Sequence, residues 1–126
     1  HIVRAALEGI AYQVKDLLDA MELDSGRQLS SLKVDGGASV SDFLMQFQAD
    51  ILRRPIDRPR MVETTAFGAA FLAGLSAGLW SDVSEIAALR QSEKVFTPAM
   101  DLETAEKYHG EWLRAVERAK KWEATK

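Results

Sequence analysis

Cysteine is absent from the 126-residue chain. Disulfide bridges and thiolate-bound metal sites are therefore excluded, and we expect a protein of the reducing cytoplasm. Histidine is scarce as well: His1 and His109 are far apart in sequence, and no spacing of His, Asp and Glu resembles a metal site. We therefore predict no metal site within this chain.

An excess of positive charge is also missing. The 16 lysines and arginines are outnumbered by 19 aspartates and glutamates, which gives a net charge of −3. Because a protein that binds a nucleic-acid backbone needs basic surface, nucleic acid is not an expected partner. A membrane-spanning helix requires roughly 18 consecutive apolar residues. The longest weakly polar stretch, Ala66–Leu75, is too short, so membrane insertion is not expected either.

What the chain does contain is a globular composition, with 47% hydrophobic and 28% charged residues. Apolar residues recur at helical spacing over about residues 2–23, 41–53, 65–77, 82–89 and 102–124. Two short strands are predicted at 32–34 and 55–57, and Pro55 favours a sheet edge for the second. Residues 95–98 are predicted to form an extended connector.

The predicted fold class is α/β, helix-rich and with only about two short strands. Two strands cannot normally cover three apolar helix faces, so we expect missing partners, either upstream sequence or another chain. The chain begins at His1 in the middle of a predicted helix and without methionine, which we interpret as truncation. Exposed apolar faces and a bare sheet edge also predict a homo-oligomer.

The segment Val34-Asp35-Gly36-Gly37-Ala38 joins a predicted strand to a predicted helix, for which Ser39 and Asp42 resemble a capping box. Glycine allows positive φ and leaves no Cβ in the way of a ligand, and a helix start offers unpaired N–H groups. Such a turn suits a phosphate or the polar edge of a nucleotide. A tight connection without a ligand is the alternative interpretation. The spacing is neither that of a Walker A loop nor that of the dinucleotide fingerprint.

A resemblance to a known family covers nearly the whole chain. Leu32–Ala38 followed by Asp42–Leu52 resembles the second signature of the FGGY carbohydrate kinases, and within them the glycerol kinases. The similarity continues in Arg4–Gln13, Arg58-Pro59, Glu63–Leu75, Trp112, Ala115-Val116, Arg118-Ala119 and Trp122.

The resemblance implies an ATPase of the actin, Hsp70 and hexokinase type (ribonuclease H-like), with residues 1–126 as part of its C-terminal domain. It implies phosphoryl transfer from ATP, with Mg²⁺, to glycerol, giving glycerol 3-phosphate and ADP. It also implies a parent kinase whose N-terminal part is missing from this chain. The alternatives are an FGGY kinase for xylulose or gluconate, and a non-catalytic module that senses nucleotide or mediates interactions.

The resemblance also implies nucleotide contacts at Gly36, Gly37 and Ser41, with Ala38 and Asp42 as secondary candidates. Many glycerol kinases have asparagine at the position of Ser41, and a hydroxyl lacks the paired donor and acceptor of an amide. The family's catalytic, glycerol-binding and Mg²⁺-linked residues match nothing here. Because phosphoryl transfer needs both halves of its site, we expect the chain alone to be inactive.

Residues outside the turn are predicted to have structural roles. Asp35 is expected to bond its own turn, Thr65 to cap the third helix, and His109 to lie on the surface. Arg58 and Arg60 flank Pro59 and are expected in a solvated loop, with contact to a phosphate as the alternative. Packing is predicted for an aromatic stripe, which consists of Tyr108, Trp112 and Trp122. Packing is also predicted for a stripe of small residues, which consists of Ala66, Ala70 and Gly74.

Overall fold

The computed structural model describes residues 1–120. Its elements are α1 (Ile2–Ser25), β1 (Leu32–Lys33), a 3₁₀ helix (Gly37–Val40), α2 (Asp42–Leu52), β2 (Ile56–Pro59), α3 (Thr64–Ser76), α4 (Val83–Ala88), β3 (Ser92–Phe96) and α5 (Leu102–Ala119). The five predicted helices are confirmed, and each begins within one residue of its predicted start. The predicted continuation of the last helix, with Trp122, falls outside the described residues. Across residues 1–120, no helix is both long and apolar enough to cross a lipid bilayer.

Local signals in the sequence explain where the long helices stop and start. Gly26 ends α1 with a φ of 64°, a left-handed conformation that glycine adopts without steric cost, and its N–H donates to the Glu22 carbonyl. Asp101 caps the start of α5, and its carboxylate accepts a 2.8 Å hydrogen bond from the Thr104 N–H. Both boundaries therefore follow from standard caps.

The sheet has three strands, in the order β1-β2-β3. Strand β2 pairs parallel to β1 and antiparallel to β3, so that Ile56 lies between Leu32 and Phe96. The prediction of two strands was wrong, because the segment predicted as a connector forms β3. The prediction of an edge position for the second strand was also wrong. Pro55 precedes β2, and Pro59 lies at its irregular end, so neither interrupts the ladder between them.

The hydrophobic core lies where α1, α2 and α5 meet the sheet. The apolar stripe of α2 is almost completely buried, and Ile56 from the central strand is 0% exposed. Burying each large aliphatic side chain contributes roughly 1.5–3 kcal/mol. The buried apolar residues are Ala11, Leu44, Met45, Phe47, Ala49, Ile51, Leu52, Ile56, Phe96 and Ala105.

A buried carboxylate joins α2 to the segment before α5. Asp50 accepts hydrogen bonds from the N–H groups of Ala99, at 2.6 Å, and Met100, at 3.1 Å. The Gln46 side chain donates to the same oxygen and to the Thr97 carbonyl. Because every buried polar group needs a partner, this cluster fixes the path of the chain into α5.

Helices α1 and α5 are joined by a polar and aromatic contact. Asp16 accepts from His109 Nε2 and from Trp112 Nε1, both at 2.7 Å. The Trp112 ring stacks on Tyr12 with centroids 5.4 Å apart. The predicted packing of Trp112 against the first helix is confirmed, whereas Tyr108 is exposed. The surface position predicted for His109 was wrong, because its bond to Asp16 leaves the side chain 14% exposed.

Helix α3 differs from the other long helices because no other helix or strand packs closely against it among the described residues. Gly74 is its buried residue, and the Trp80 ring lies against it. Ala66 and Ala70 are exposed in this chain, so the predicted packing of the small-residue stripe is confirmed at Gly74 alone. The predicted cap at Thr65 was wrong, because the helix begins at Thr64 after Glu63, which makes no side-chain cap bond.

Candidate functional site

The turn after β1 is held by backbone hydrogen bonds to neighbouring segments. The Val34 N–H donates to the Asp57 carbonyl at 3.2 Å, and the Gly36 N–H donates to the Val62 carbonyl at 2.8 Å. Gly36 has a φ of 76°, which residues with a Cβ rarely adopt. Glycine at this position therefore sets the direction in which the chain leaves the strand.

A 3₁₀ helix separates the Gly-Gly turn from α2, which the sequence did not predict. Ser39 inside this helix is buried, and its hydroxyl donates to the Gly36 carbonyl at 2.7 Å. Ser41 is the N-cap of α2, since its hydroxyl oxygen accepts from the Leu44 N–H at 3.3 Å. The predicted Ser39–Asp42 capping box was therefore wrong by two residues. The 3₁₀ helix occupies residues 37–40, so the residue that directly precedes α2 and caps it is Ser41.

The five candidate nucleotide contacts lie on this one continuous segment. Gly37 and Ala38 are exposed, and a Cβ built on Gly37 meets no atom within 4 Å. They open the 3₁₀ helix, and their N–H groups have no acceptor among residues 1–120. Ser41 is half-buried beside them, and Asp42 is exposed at the first turn of α2. The segment therefore contains two exposed residues whose N–H groups have no described acceptor, and one half-buried hydroxyl.

The Asp42 carboxylate is engaged by two cations. Lys94 Nζ lies 2.7 Å from one oxygen and Arg58 Nη1 lies 2.8 Å from the other. These hydrogen bonds, to Lys94 first and Arg58 second, hold the pKa of Asp42 below its ordinary value of 3.8. Asp42 is therefore ionised and already paired at neutral pH.

Arg58 does not lie in a solvated loop, so that prediction was wrong. It belongs to β2, where its side chain is buried between the start of α2 and strand β3. Its Nε donates to Glu93 at 3.0 Å, and its guanidinium carbon lies 5.2 Å from the centroid of the Phe96 ring. Sequence reasoning missed Arg58 because its partners lie 16 and 35 residues away along the chain.

On the other side of the turn, Asp35 bonds to α3. Its carboxylate accepts from the Thr64 hydroxyl. The expected bonds to its own turn are replaced by this bond. Both residues line an open cavity of about 760 Å³ between the strand ends and helices α3 and α4. Gly36, Gly37 and Ser41 do not line that cavity, although Asp35 directly precedes Gly36 in the chain.

Acidic and histidine side chains form no cluster of three or more that would suit a metal ion within residues 1–120. The chemistry that the described segment offers is hydrogen-bond donation from exposed backbone amides and from one hydroxyl.

Comparison with known proteins identifies the family. The model for the C-terminal domain of the FGGY family of carbohydrate kinases matches residues 1–77. A glycerol kinase from Alkaliphilus oremlandii is 60% identical over 123 residues, which are 98% of this chain and 24% of that protein. The chain thus spans about a quarter of the length of the curated relatives that it matches.

Solved structures agree with that assignment. Glycerol kinase from Plasmodium falciparum, crystallised with ADP, is similar with a TM-score of 0.79 and 41% identity over 94% of this chain and 24% of that one. Xylulose kinase from Lactobacillus acidophilus is similar with a TM-score of 0.71 and 30% identity, over 92% of this chain and 23% of that one. The fold is therefore a helix-rich part of the actin- and hexokinase-like ATPase fold, with a three-stranded sheet. The chain belongs to the FGGY family of carbohydrate kinases, and residues 1–77 lie in the family's C-terminal domain.

Proposed function

We propose that this chain is the nucleotide-binding C-terminal part of a glycerol kinase, which transfers the γ-phosphoryl group of ATP to glycerol. The observation that carries the proposal is the similarity to curated glycerol kinases along nearly the whole chain. The similarity to glycerol kinase is also closer than that to xylulose kinase among the solved structures. The products are glycerol 3-phosphate and ADP, and a parent that consumes ATP acts in the cytoplasm.

The nucleotide contacts are proposed at the Gly-Gly turn. The exposed N–H groups of Gly37 and Ala38 are donors for a phosphate or a ribose oxygen, and Gly36 holds the turn open with its positive φ. Because a Cβ at Gly37 would point into open space, a ligand can approach the backbone there without moving the protein. These features support a wall of a nucleotide cleft.

The adenine side of the site is proposed at the start of α2. The Ser41 oxygen already accepts from the Leu44 N–H, so the hydroxyl has one proton left to donate to a base. Asp42 contributes indirectly, because both of its oxygens are held by Arg58 and Lys94. A single donor at Ser41 recognises a base less specifically than an amide does.

The remaining parts of the reaction are proposed to come from the rest of the parent kinase. The groups that would bind glycerol, accept its hydroxyl proton and hold Mg²⁺ are upstream residues, because this chain contains no match to them. Positioning between two halves of the site dominates phosphoryl transfer. We therefore expect no glycerol phosphorylation by the 126-residue chain alone, and weak ADP binding at best in a calorimetric titration.

Two surfaces suit the missing part of the parent. Strand β1 pairs with β2 along one edge, and no strand pairs with its other edge among the described residues. Helix α3 exposes Phe67 and Leu72. An open strand edge and an apolar helix face both favour association, so we propose that the upstream sequence covers them. The parent is also proposed to be a homo-oligomer, which light scattering of the full-length protein tests.

The first experiment is a kinetic comparison on the full-length parent. Glycerol is expected to be phosphorylated with a larger kcat/KM than xylulose or gluconate in a coupled ADP-release assay. A larger value for either sugar substrate would assign the parent to another branch of the family. Absence of turnover with all three would support a non-catalytic module instead.

A glycine substitution tests the placement of the nucleotide. Gly37→Ala meets open space, so it is expected to leave the melting temperature of the parent unchanged while raising KM for ATP by about tenfold. Gly110→Ala is the matched control, because a Cβ at Gly110 also meets nothing within 4 Å and lies on α5. Equal values of KM for ATP in the two variants would remove Gly37 from the site.

A further inference from the structure

Arg58 connects three segments of the chain from a buried position. Its side chain belongs to the central strand and the residue is 6% exposed. Nη1 donates to the Ser39 carbonyl at 3.0 Å and to Asp42 Oδ1 at 2.8 Å, and Nε donates to Glu93 Oε2 at 3.0 Å. One guanidinium thus holds the 3₁₀ helix, the start of α2 and strand β3 together.

The contacts of Arg58 reach both ends of the candidate nucleotide segment. Ser39, whose carbonyl accepts from Arg58, donates its N–H and its hydroxyl to the Gly36 carbonyl at 3.1 and 2.7 Å. Asp42 follows the Ser41 cap directly. The Arg58 side chain therefore holds the stretch between Gly36 and Asp42 at two points, the Ser39 carbonyl and the Asp42 carboxylate.

The cluster around Arg58 is electrically balanced. Arg58 and Lys94 supply two positive charges, and Asp42 and Glu93 supply two negative ones. The cluster therefore adds no net field that would attract a polyphosphate, and the hydrogen bonds described for Arg58 all go to groups of this chain. Its effect on a nucleotide must come from geometry, since a planar guanidinium fixes its acceptors in defined directions.

We propose that Arg58 is a positioning residue for nucleotide binding, which sets the distance between the Gly37 amide and the Ser41 hydroxyl. This inference rests on the proposed function of the same segment. Arg58 does not contact the substrate itself. Loss of its bonds to Ser39 and Asp42 frees the 3₁₀ helix to shift relative to α2, which misplaces the nucleotide-binding groups and weakens ATP binding.

The experiment uses the full-length parent and Arg58→Gln. We expect KM for ATP to rise about tenfold while KM for glycerol and kcat stay within about twofold, because the nucleotide wall alone is disturbed. Arg58→Lys keeps the charge and can reach one acceptor. Its KM for ATP should therefore lie between the values of the wild type and Arg58→Gln. A role restricted to stability would lower the melting temperature without separating the two KM values.

The matched control is Arg90→Gln. Arg90 Nη1 lies 2.5 Å from Oδ2 of Asp57, which precedes Arg58 in β2. Arg90 has no hydrogen bond to the segment from Gly36 to Asp42 among its described bonds. We expect its KM for ATP to stay within about twofold of the wild-type value. Equal KM values for ATP in Arg58→Gln and Arg90→Gln would overturn the positioning role.

A second pair of variants decides the matter where Arg58→Gln does not fold. Asp42→Ala removes one of the two anchors and should raise KM for ATP, whereas Asp42→Asn keeps an oxygen that accepts from Arg58 and should raise KM for ATP by less. A wild-type KM in Asp42→Ala would overturn the inference. Wild-type parent without ATP-dependent turnover would instead refute the proposed function, and the inference with it.

Discussion

The two sides of the molecule differ in how well they cover their own apolar residues. On one side, α1, α2 and α5 share a core with the sheet, and Phe47 is 5% exposed within it. On the other side, α3 has no charged residue over its 13 positions, yet Phe67 is 36% and Leu72 is 70% exposed. The more uniformly apolar helix is thus the less buried one.

This difference shows what each helix is built to contact. Helix α5 has one apolar face and one charged face, as expected for a helix at the surface of its own core. A helix that is apolar all round is normally buried on all sides. We infer that α3 meets most of its partners outside this chain, whereas α2 buries its apolar stripe within this chain.

The largest expected effect comes from truncating one phenylalanine to alanine on each side of the molecule. In the 126-residue chain, Phe47→Ala should reduce the free energy of unfolding by about 3–5 kcal/mol, since it leaves a cavity in a closed core. Phe67→Ala should cost less than about 1 kcal/mol, because Phe67 packs mainly on the neighbouring Phe71 ring. Urea denaturation followed by circular dichroism measures both values.

The full-length parent should remove that asymmetry. If the upstream sequence covers α3, Phe67→Ala should destabilise the parent by about as much as Phe47→Ala does. A cost for Phe67 that stays small in the parent would mean that α3 remains uncovered, and the inference from its composition would be wrong.

A smaller effect is expected from two glycines of α3. A Cβ on Gly74 would lie 2.7 Å from Trp80 Cε3, so Gly74→Ala must displace the indole ring and should cost about 1–3 kcal/mol. Gly68→Ala, in the same helix, meets no atom within 4 Å and should stabilise the chain by about 0.5–1 kcal/mol. Opposite changes in melting temperature are therefore expected, and two changes of the same sign would contradict the packing of Trp80.

The sequence was sufficient for the features that depend on local chemistry. Helical spacing predicted all five helix starts to within one residue, and Gly26 marked the end of α1 correctly. The Gly-Gly turn after β1 was also predicted, because glycine at a strand end has few other interpretations. These features need no knowledge of the distant parts of the chain.

The features that failed depend on distant partners. Strand β3 reads Ser-Glu-Lys-Val-Phe, of which Phe96 alone is buried, so its pattern is weak and its pairing with β2 defines it. Arg58 was assigned to solvent because charged side chains are usually exposed. Its buried charge is balanced by Asp42 and Glu93 together, and no spacing in the sequence predicts that these three side chains meet.

The smallest expected effect is the pH dependence of stability that comes from two carboxylates, Asp42 on one side of the molecule and Asp82 on the other. Hydrogen bonds to Lys94 and Arg58 lower the pKa of Asp42, whereas bonds from the Ser84 hydroxyl and from backbone N–H groups lower the pKa of Asp82 at the start of α4. A lowered pKa in the folded state means that the unfolded chain binds protons more readily. Stability from both groups is therefore complete above the ordinary pKa of 3.8 and is lost as the pH falls through the lower folded values.

Salt should separate these two contributions. The Debye length falls from about 10 Å at 0.1 M to about 3 Å at 1 M, which screens the exposed pair of Asp42 and Lys94. Urea denaturation between pH 5 and pH 2 should show that Asp42→Asn flattens the acid-induced loss of stability at low salt and changes little at high salt. Asp82→Ala should flatten it at both salt concentrations, because its partners are a hydroxyl and backbone amides. Equal salt sensitivity of the two variants would mean that charge pairing does not distinguish the packed side from the open one.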